Sequence, residues 1–165
     1  MQKQLLLGVE AIAQGAIDSG ISGVYAYPGT PSTEITEYIQ NSKEAIARNV
    51  HRAWAANEKT AMESALGMSY AGKRALVCMK HVGMNVAADC FMNAAITGAN
   101  GGLVVTAADD PSMHSSQNEQ DSRHHAIAAK VPMLEPCDSA ECLAFTKLGY
   151  ELSERFDTPV LLRLS

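Results

Sequence analysis

Aromatic residues are scarce in this chain: three Phe, five Tyr and one Trp make up 5% of 165 residues. Proteins that track single-stranded nucleic acid stack bases on aromatics along a basic groove. Here 13 Lys and Arg stand against 18 Asp and Glu, a net charge of −5. Without a basic stripe, nucleic acid is excluded as a partner. No run of about 18 apolar residues occurs, so no membrane-spanning helix is expected. The segment Gln2-Lys3-Gln4-Leu5-Leu6-Leu7 lacks the order of a secretion signal. The four cysteines (Cys78, Cys90, Cys137, Cys142) form no CxxC pair and have no ligand spacing with histidine. That argues against a zinc or iron–sulfur site in this chain and for reduced thiols in the cytoplasm. Neither GxGxxG nor GxxxxGK[ST] is present, which removes the dinucleotide and P-loop readings.

What remains is an ordinary globular composition, 47% hydrophobic and 19% charged, long enough for one core and read as a single domain over residues 1–165. Leu5, Val9, Ile12, Ala13, Ala16 and Ile17 share a helical face that closes at Gly20. A short strand over 23–27 stops at Pro28-Gly29, and a helix with a Ser or Thr cap follows near Glu34. An extended segment over 49–54 leads to a helix from Asn57 to Gly72. Ala75-Leu76-Val77-Cys78-Met79 and Leu103-Val104-Val105-Thr106-Ala107-Ala108 are apolar runs that read as strands buried on both faces, with a helix over 83–98 between them. After a polar stretch over 109–123 come a helix near 124–130, a short strand at 133–136, a helix from the Asp138 cap to Phe156, and a last strand at 159–164. Strands alternating with helices imply an α/β fold: three layers, doubly wound, a mainly parallel sheet of about six strands with helices on both faces.

In such sheets ligands bind beyond the carboxyl ends of the strands. The turns there hold Tyr27-Pro28-Gly29-Thr30, Asn57-Glu58, Lys80-His81 with Asn85, and Asp109-Asp110 through Glu119. Glu58 sits in the first turn behind an Asn cap, where the helix dipole alone would favour an acid. The helix behind it is poor in charge and reads as buried over most of its circumference, and a buried carboxylate needs a partner or a task. The three histidines between 114 and 125 lack metal-ligand spacing, so no metal is assigned. A polar stretch of this length inside a compact domain reads as a functional flap.

The segments Ala26-Tyr27-Pro28-Gly29-Thr30-Pro31-Ser32-Thr33-Glu34-Ile35, Asn57-Glu58-Lys59, Met79-Lys80-His81-Val82-Gly83-Met84-Asn85 and the run from Asp109-Asp110-Pro111 to Arg123 together resemble one family. It is the thiamine-diphosphate-dependent 2-oxoacid:acceptor oxidoreductases, and within it the N-terminal pyrimidine-binding domain of indolepyruvate:ferredoxin oxidoreductase alpha subunits. The resemblance covers essentially the whole chain. It implies that Glu58 hydrogen-bonds N1′ of the aminopyrimidine and drives removal of the C2 proton, in a dry pocket that raises its pKa. It places Tyr27, Pro28, Gly29, Thr30, His81 and Asn85 on the cofactor, with Thr30, Lys80, His81, Asp110, His114, Ser115 and Gln117 towards the substrate. It implies partners for the rest: a diphosphate-binding domain or subunit with Mg²⁺, iron–sulfur clusters, ferredoxin, coenzyme A and a 2-oxoacid, in an oligomer. Relatives acting on pyruvate carry an arginine for the substrate carboxylate where this chain has Ala108-Asp109, which suits a bulkier arylpyruvate. Two other readings remain: the short subunit of a non-redox decarboxylase of the sulfopyruvate type, and a non-catalytic α/β binding module.

Overall fold

The computed structural model describes residues 5–165. Six strands, β1 (Gly23–Ala26), β2 (His51–Trp54), β3 (Ala75–Lys80), β4 (Leu103–Ala108), β5 (Met133–Leu134) and β6 (Val160–Leu164), form one sheet in the order β2-β1-β3-β4-β6-β5. Every pairing is parallel, and β3 and β4 run in register from Ala75 opposite Leu103 to Lys80 opposite Ala108. The doubly wound expectation holds.

Alternation along the strands divides the core. Leu76 and Cys78 of β3 point to one face, where they meet Ile12 and Ile17 of α1 (Gly8–Asp18), Ile35 and Ile39 of α2 (Thr33–Asn41) and Tyr150 of α7 (Ser139–Phe156). Val77 and Met79 point to the other face, against Met62 of α4 (Glu58–Tyr70), Phe91 of α5 (His81–Thr97) and Ala126 of α6 (Arg123–Ala129). Each fully buried Ile, Met or Phe contributes roughly 1.5–3 kcal/mol of transfer free energy. Small residues let the layers close. A Cβ on Gly15 of α1 would come within 2.9 Å of the Leu143 carbonyl on α7.

Several local readings change. The interior strands β1, β3 and β4 are buried at every residue, but β2 and β5 are edge strands and only partly covered. A short helix, α3 (Lys43–Ala47), precedes the extended segment that becomes β2. The α2 helix starts without a side-chain cap: the Ser32 hydroxyl instead donates to the Gly29 carbonyl at 2.6 Å, and Thr33 accepts from the Gly29 N–H at 2.7 Å. The α5 helix begins at His81, two residues sooner than the glycine suggested. The stretch after β4 includes a single 3₁₀ turn, Pro111–Met113.

The α4 helix is capped as expected, with Asn57 Oδ1 accepting from the Thr60 N–H at 2.9 Å. Its burial differs from the sequence reading. Ala61, Met62, Ala65, Leu66 and Ser69 are buried, whereas Glu63, Ser64, Gly67 and Tyr70 lie on an exposed stripe. Ser64, Gly67 and Tyr70 carry no charge there although they are exposed.

Candidate functional site

The β1 strand is flanked by β2 on one side and β3 on the other, and the helices leaving β1 and β3 lie on opposite faces. The winding reverses there, which opens a crevice above the carboxyl ends of the two strands. Gly29, after β1, and Lys80, ending β3, are close enough that a Cβ on Gly29 would touch the Lys80 Cβ at 3.4 Å. A cavity of about 620 Å³ opens between them, walled by Gly29, Thr30, Lys80, Val82 and residues 113–117. A larger cavity of about 670 Å³ lies away from the strand ends, between α1 and α2, where Glu10, Glu34 and Glu37 line it. No strand residue lines that one, so the switch-point cavity is the stronger candidate.

Of the expected site residues, Thr30, Lys80, His114, Ser115 and Gln117 line this cavity directly. Tyr27, Pro28 and Asn85 are exposed at the same edge. Glu58 stands on the far side of the first turn of α5, half-buried instead of enclosed. Its side chain lies over Gly83: a Cβ there would be 2.6 Å from Glu58 Cγ and 2.7 Å from Oε1. The dry pocket expected around Glu58 is thus only half built by this chain. The carboxylate is supported from below by α5 and open above.

The stretch 110–121 folds back over the crevice. Lys80 is 6% exposed, and its Nζ donates to the Ser115 carbonyl and lies 3.5 Å from Asp110 Oδ2. His81, fully buried, places Nε2 3.0 Å from the Asn118 carbonyl oxygen. Asp110 organises the turn from within, accepting from the Ser116 hydroxyl at 2.6 Å and the Ser115 N–H at 2.8 Å. These donors, the Ser116 hydroxyl foremost, with Lys80 behind them, hold its carboxyl down to about 2. Asp110 thus serves the loop and does not line the cavity.

The base of the loop is pinned by a pairing of Asp109 with Ser122 and Arg163 that the sequence did not reveal. Asp109, 2% exposed, accepts from the Ser122 hydroxyl at 2.5 Å, the Ser122 N–H at 3.1 Å and Arg163 Nε at 2.7 Å. Arg163 also pairs with Glu135, and Glu135 with Arg123. The network ties the ends of β4, β5 and β6 to the start of α6. Asp109 and Ser122 lie thirteen positions apart in sequence, and Arg163 is farther still. No local periodicity joins them. The signal available was the unusual charge of Arg163 in an apolar strand. Among the described residues no group of three His, Cys, Asp or Glu side chains is placed to hold a metal ion.

A doubly wound parallel domain with polar turns converging on its switch point belongs to the class of cofactor-binding α/β domains. Residues 14–165 match the family model described as pyruvate flavodoxin/ferredoxin oxidoreductase, thiamine diphosphate-binding, and the chain belongs to that family. It is 51% identical over 164 residues to the indolepyruvate oxidoreductase subunit IorA of Archaeoglobus fulgidus, covering 98% of this chain and 26% of that protein. It is 49% identical over 162 residues to the subunit of the same name from Pyrococcus horikoshii, covering 98% of this chain and 25% of that protein. The chain therefore spans about a quarter of the length of these curated relatives. A 2-oxoglutarate:ferredoxin oxidoreductase from Magnetococcus marinus, solved with 2-oxoglutarate, coenzyme A and succinyl-CoA bound, has the same fold: TM-score 0.84 at 24% identity, over 96% of this chain and 28% of that one. No described helix is long and apolar enough to cross a membrane.

Proposed function

We propose that residues 1–165 form the pyrimidine-binding domain of a thiamine-diphosphate-dependent oxidoreductase, which converts an aryl 2-oxoacid and coenzyme A to an acyl-CoA and carbon dioxide, passing two electrons to ferredoxin. The observation that carries this reading is Glu58, half-buried over Gly83 at the start of α4, beside the switch-point crevice of a chain in the thiamine-binding family. Support for the aryl substrate comes from the names of the relatives and from Asp109 at the end of β4, whose carboxylate is already matched by Arg163.

The residues present fit the cofactor on their own chemistry. Thiamine diphosphate, when bound, supplies a carbon nucleophile for the 2-oxo carbon and takes up the electron pair freed by decarboxylation. Glu58 holds a proton between its carboxylate and N1′ of the aminopyrimidine, the general acid–base task for which its open side is suited. Tyr27, Pro28, Gly29 and Thr30 shape one wall and Asn85 the other, while the expected His81 is buried beneath the loop and holds it at the Asn118 carbonyl instead of facing the cofactor. The 110–121 loop roofs the side where Thr30 and Lys80 meet the 2-oxoacid. The open face of Glu58 is to be closed by the diphosphate-binding domain or subunit, which together with the iron–sulfur clusters and Mg²⁺ falls to the other three-quarters of the protein or to partner subunits in an oligomer. Four unpaired cysteines support a cytoplasmic location.

The test is exchange of the cofactor C2 proton in the full-length assembly with Mg²⁺ and thiamine diphosphate, followed by NMR. Glu58→Gln is expected to slow exchange by roughly 10²–10⁴-fold. Exchange at the wild-type rate in that variant would overturn the assignment. Product formation that needs no electron acceptor would favour the decarboxylase reading instead.

A further inference from the structure

We infer that Lys80 is the anchor for the substrate carboxylate. The inference deepens the function proposed above and rests on it for the substrate class. Lys80 ends β3 at the switch point, and its side chain is 8% exposed in the wall of the 620 Å³ cavity. Of the residues lining that cavity it is the one lysine or arginine. A buried ammonium is costly unless it is paired and hydrogen-bonded, and the anion beside it, Asp110, stands outside the lining of the cavity.

The pairing it has is loose. An ammonium offers three donors. One goes to the Ser115 carbonyl, and Asp110 stands 3.5 Å away, beyond the usual hydrogen-bond separation. The same Asp110 oxygen already accepts from the Ser115 N–H and the Ser116 hydroxyl. Asp110 thus balances the charge without saturating the ammonium, and a closer carboxylate can be taken up at the remaining donor.

The other cations at this edge are spoken for. Arg163 is held by Asp109 at 2.7 Å and by Glu135, and Arg123 by Asp121 at 3.1 Å and Glu135 at 2.5 Å. Neither lines the cavity. Val82 and Met113, in the same wall, offer apolar surface for the rest of an aryl 2-oxoacid. The acid therefore enters with its carboxylate towards β3.

An anchor and a mere loop latch are told apart by the ligand. If Lys80 binds the substrate carboxylate, removing its charge weakens an acid and spares the matching alcohol. If Lys80 only fastens the loop through Ser115 and Asp110, acid and alcohol weaken alike. The experiment uses the full-length assembly, steady-state kinetics with phenylpyruvate, and calorimetry with hydrocinnamate and the alcohol of the same skeleton. Lys80→Met is expected to raise KM for phenylpyruvate roughly tenfold or more, the loss expected for a charged hydrogen-bond partner. It should weaken hydrocinnamate to a similar degree and shift the alcohol by no more than about twofold, since the alcohol offers no charge to Lys80. Lys80→Arg is expected to keep most of the affinity, because it keeps a positive charge at the end of β3.

Equal losses for hydrocinnamate and the alcohol in Lys80→Met would overturn the anchor. If Lys80→Met fails to assemble, Lys80→Gln takes its place, keeping a donor without the charge: a loss confined to hydrocinnamate supports the anchor, and an equal loss for the alcohol refutes it. Failure of C2-proton exchange in the wild-type assembly would count against the thiamine reading alone, because hydrocinnamate binding needs no turnover.

Discussion

Glu58 and Gly83 belong to different helices, yet the glycine's missing side chain is where the glutamate's carboxylate lies. A Cβ on Gly83 would stand 2.6 Å from Glu58 Cγ, 2.7 Å from Oε1 and 2.9 Å from Cδ. All three atoms are at the far end of a flexible chain, so the glutamate can swing aside without disturbing the backbone. Gly83→Ala is therefore expected to separate function from stability. The thermal midpoint should hold or rise, since alanine is favoured over glycine in a helix by about 1 kcal/mol. C2-proton exchange should fall towards the level of Glu58→Gln. Normal exchange in a stable Gly83→Ala protein would show that this glutamate position is dispensable.

The Asp109–Arg163 pair makes a prediction about stability. Both side chains are almost fully buried, at 1% and 8% exposure. Removing one partner of such a pair leaves an uncompensated charge, at a cost of roughly 3–5 kcal/mol. Arg163→Leu is expected to lower stability by that order in urea unfolding. Combining it with Asp109→Asn should recover part of the loss, because neither charge is then stranded. Additive losses in the double variant would mean that the pair is not coupled.

Acid should release the loop only late. Asp110 is held to about 2 by the Ser116 hydroxyl, the Ser115 N–H and Lys80, whereas a free aspartate ionises near 3.9. A carboxyl with a depressed folded pKa stabilises the structure above its unfolded value. That contribution is lost as the pH falls from about 4 through about 2. A carbon-13 titration of the Asp110 carboxyl is expected to show a midpoint near 2. An ordinary aspartate midpoint would mean that the loop contacts are not formed in solution.

The thiols should differ in reactivity. Burial pushes Cys78 and Cys90 up to about 11, and burial also raises Cys142. Cys137 is raised as well, chiefly by its hydrogen bond with Glu141, but it alone is exposed. Thiolate fraction and access together set the rate of alkylation. Iodoacetamide at mildly alkaline pH is expected to label Cys137 first, and the other three only after unfolding. Early labelling of Cys90 would indicate that α5 opens readily.

The layer order and the edge of the sheet that carries the site were legible in the chain. Ala75 to Met79 and Leu103 to Ala108 are continuous apolar runs, and a strand covered on both faces is the structure that buries such a run. The start of α4 could be placed from Asn57, because an N-cap is a local matter of one side chain and the N–H three residues on. With the strand ends located, Thr30, Glu58 and Lys80 followed as residues of one edge.

What the chain alone left undecided depends on contacts between distant segments. Periodicity describes the two sides of α4 but not which side meets the sheet, so a helix read as buried over most of its circumference proves exposed at Ser64, Gly67 and Tyr70. The embrace of Glu58 by Gly83, the seizure of Asp109 by Arg163 and the roofing of Lys80 by Ser115 join residues 25 to 54 positions apart. Hydrophobic pattern acts through near neighbours and fixes what must be buried. Which carboxylate is matched and which is left open is set by the packing of whole layers. The sequence by itself therefore determined the fold and the edge that holds Glu58, while the tertiary structure alone decided that this glutamate is half-covered, because the enclosing wall on its open side is not part of this layer packing.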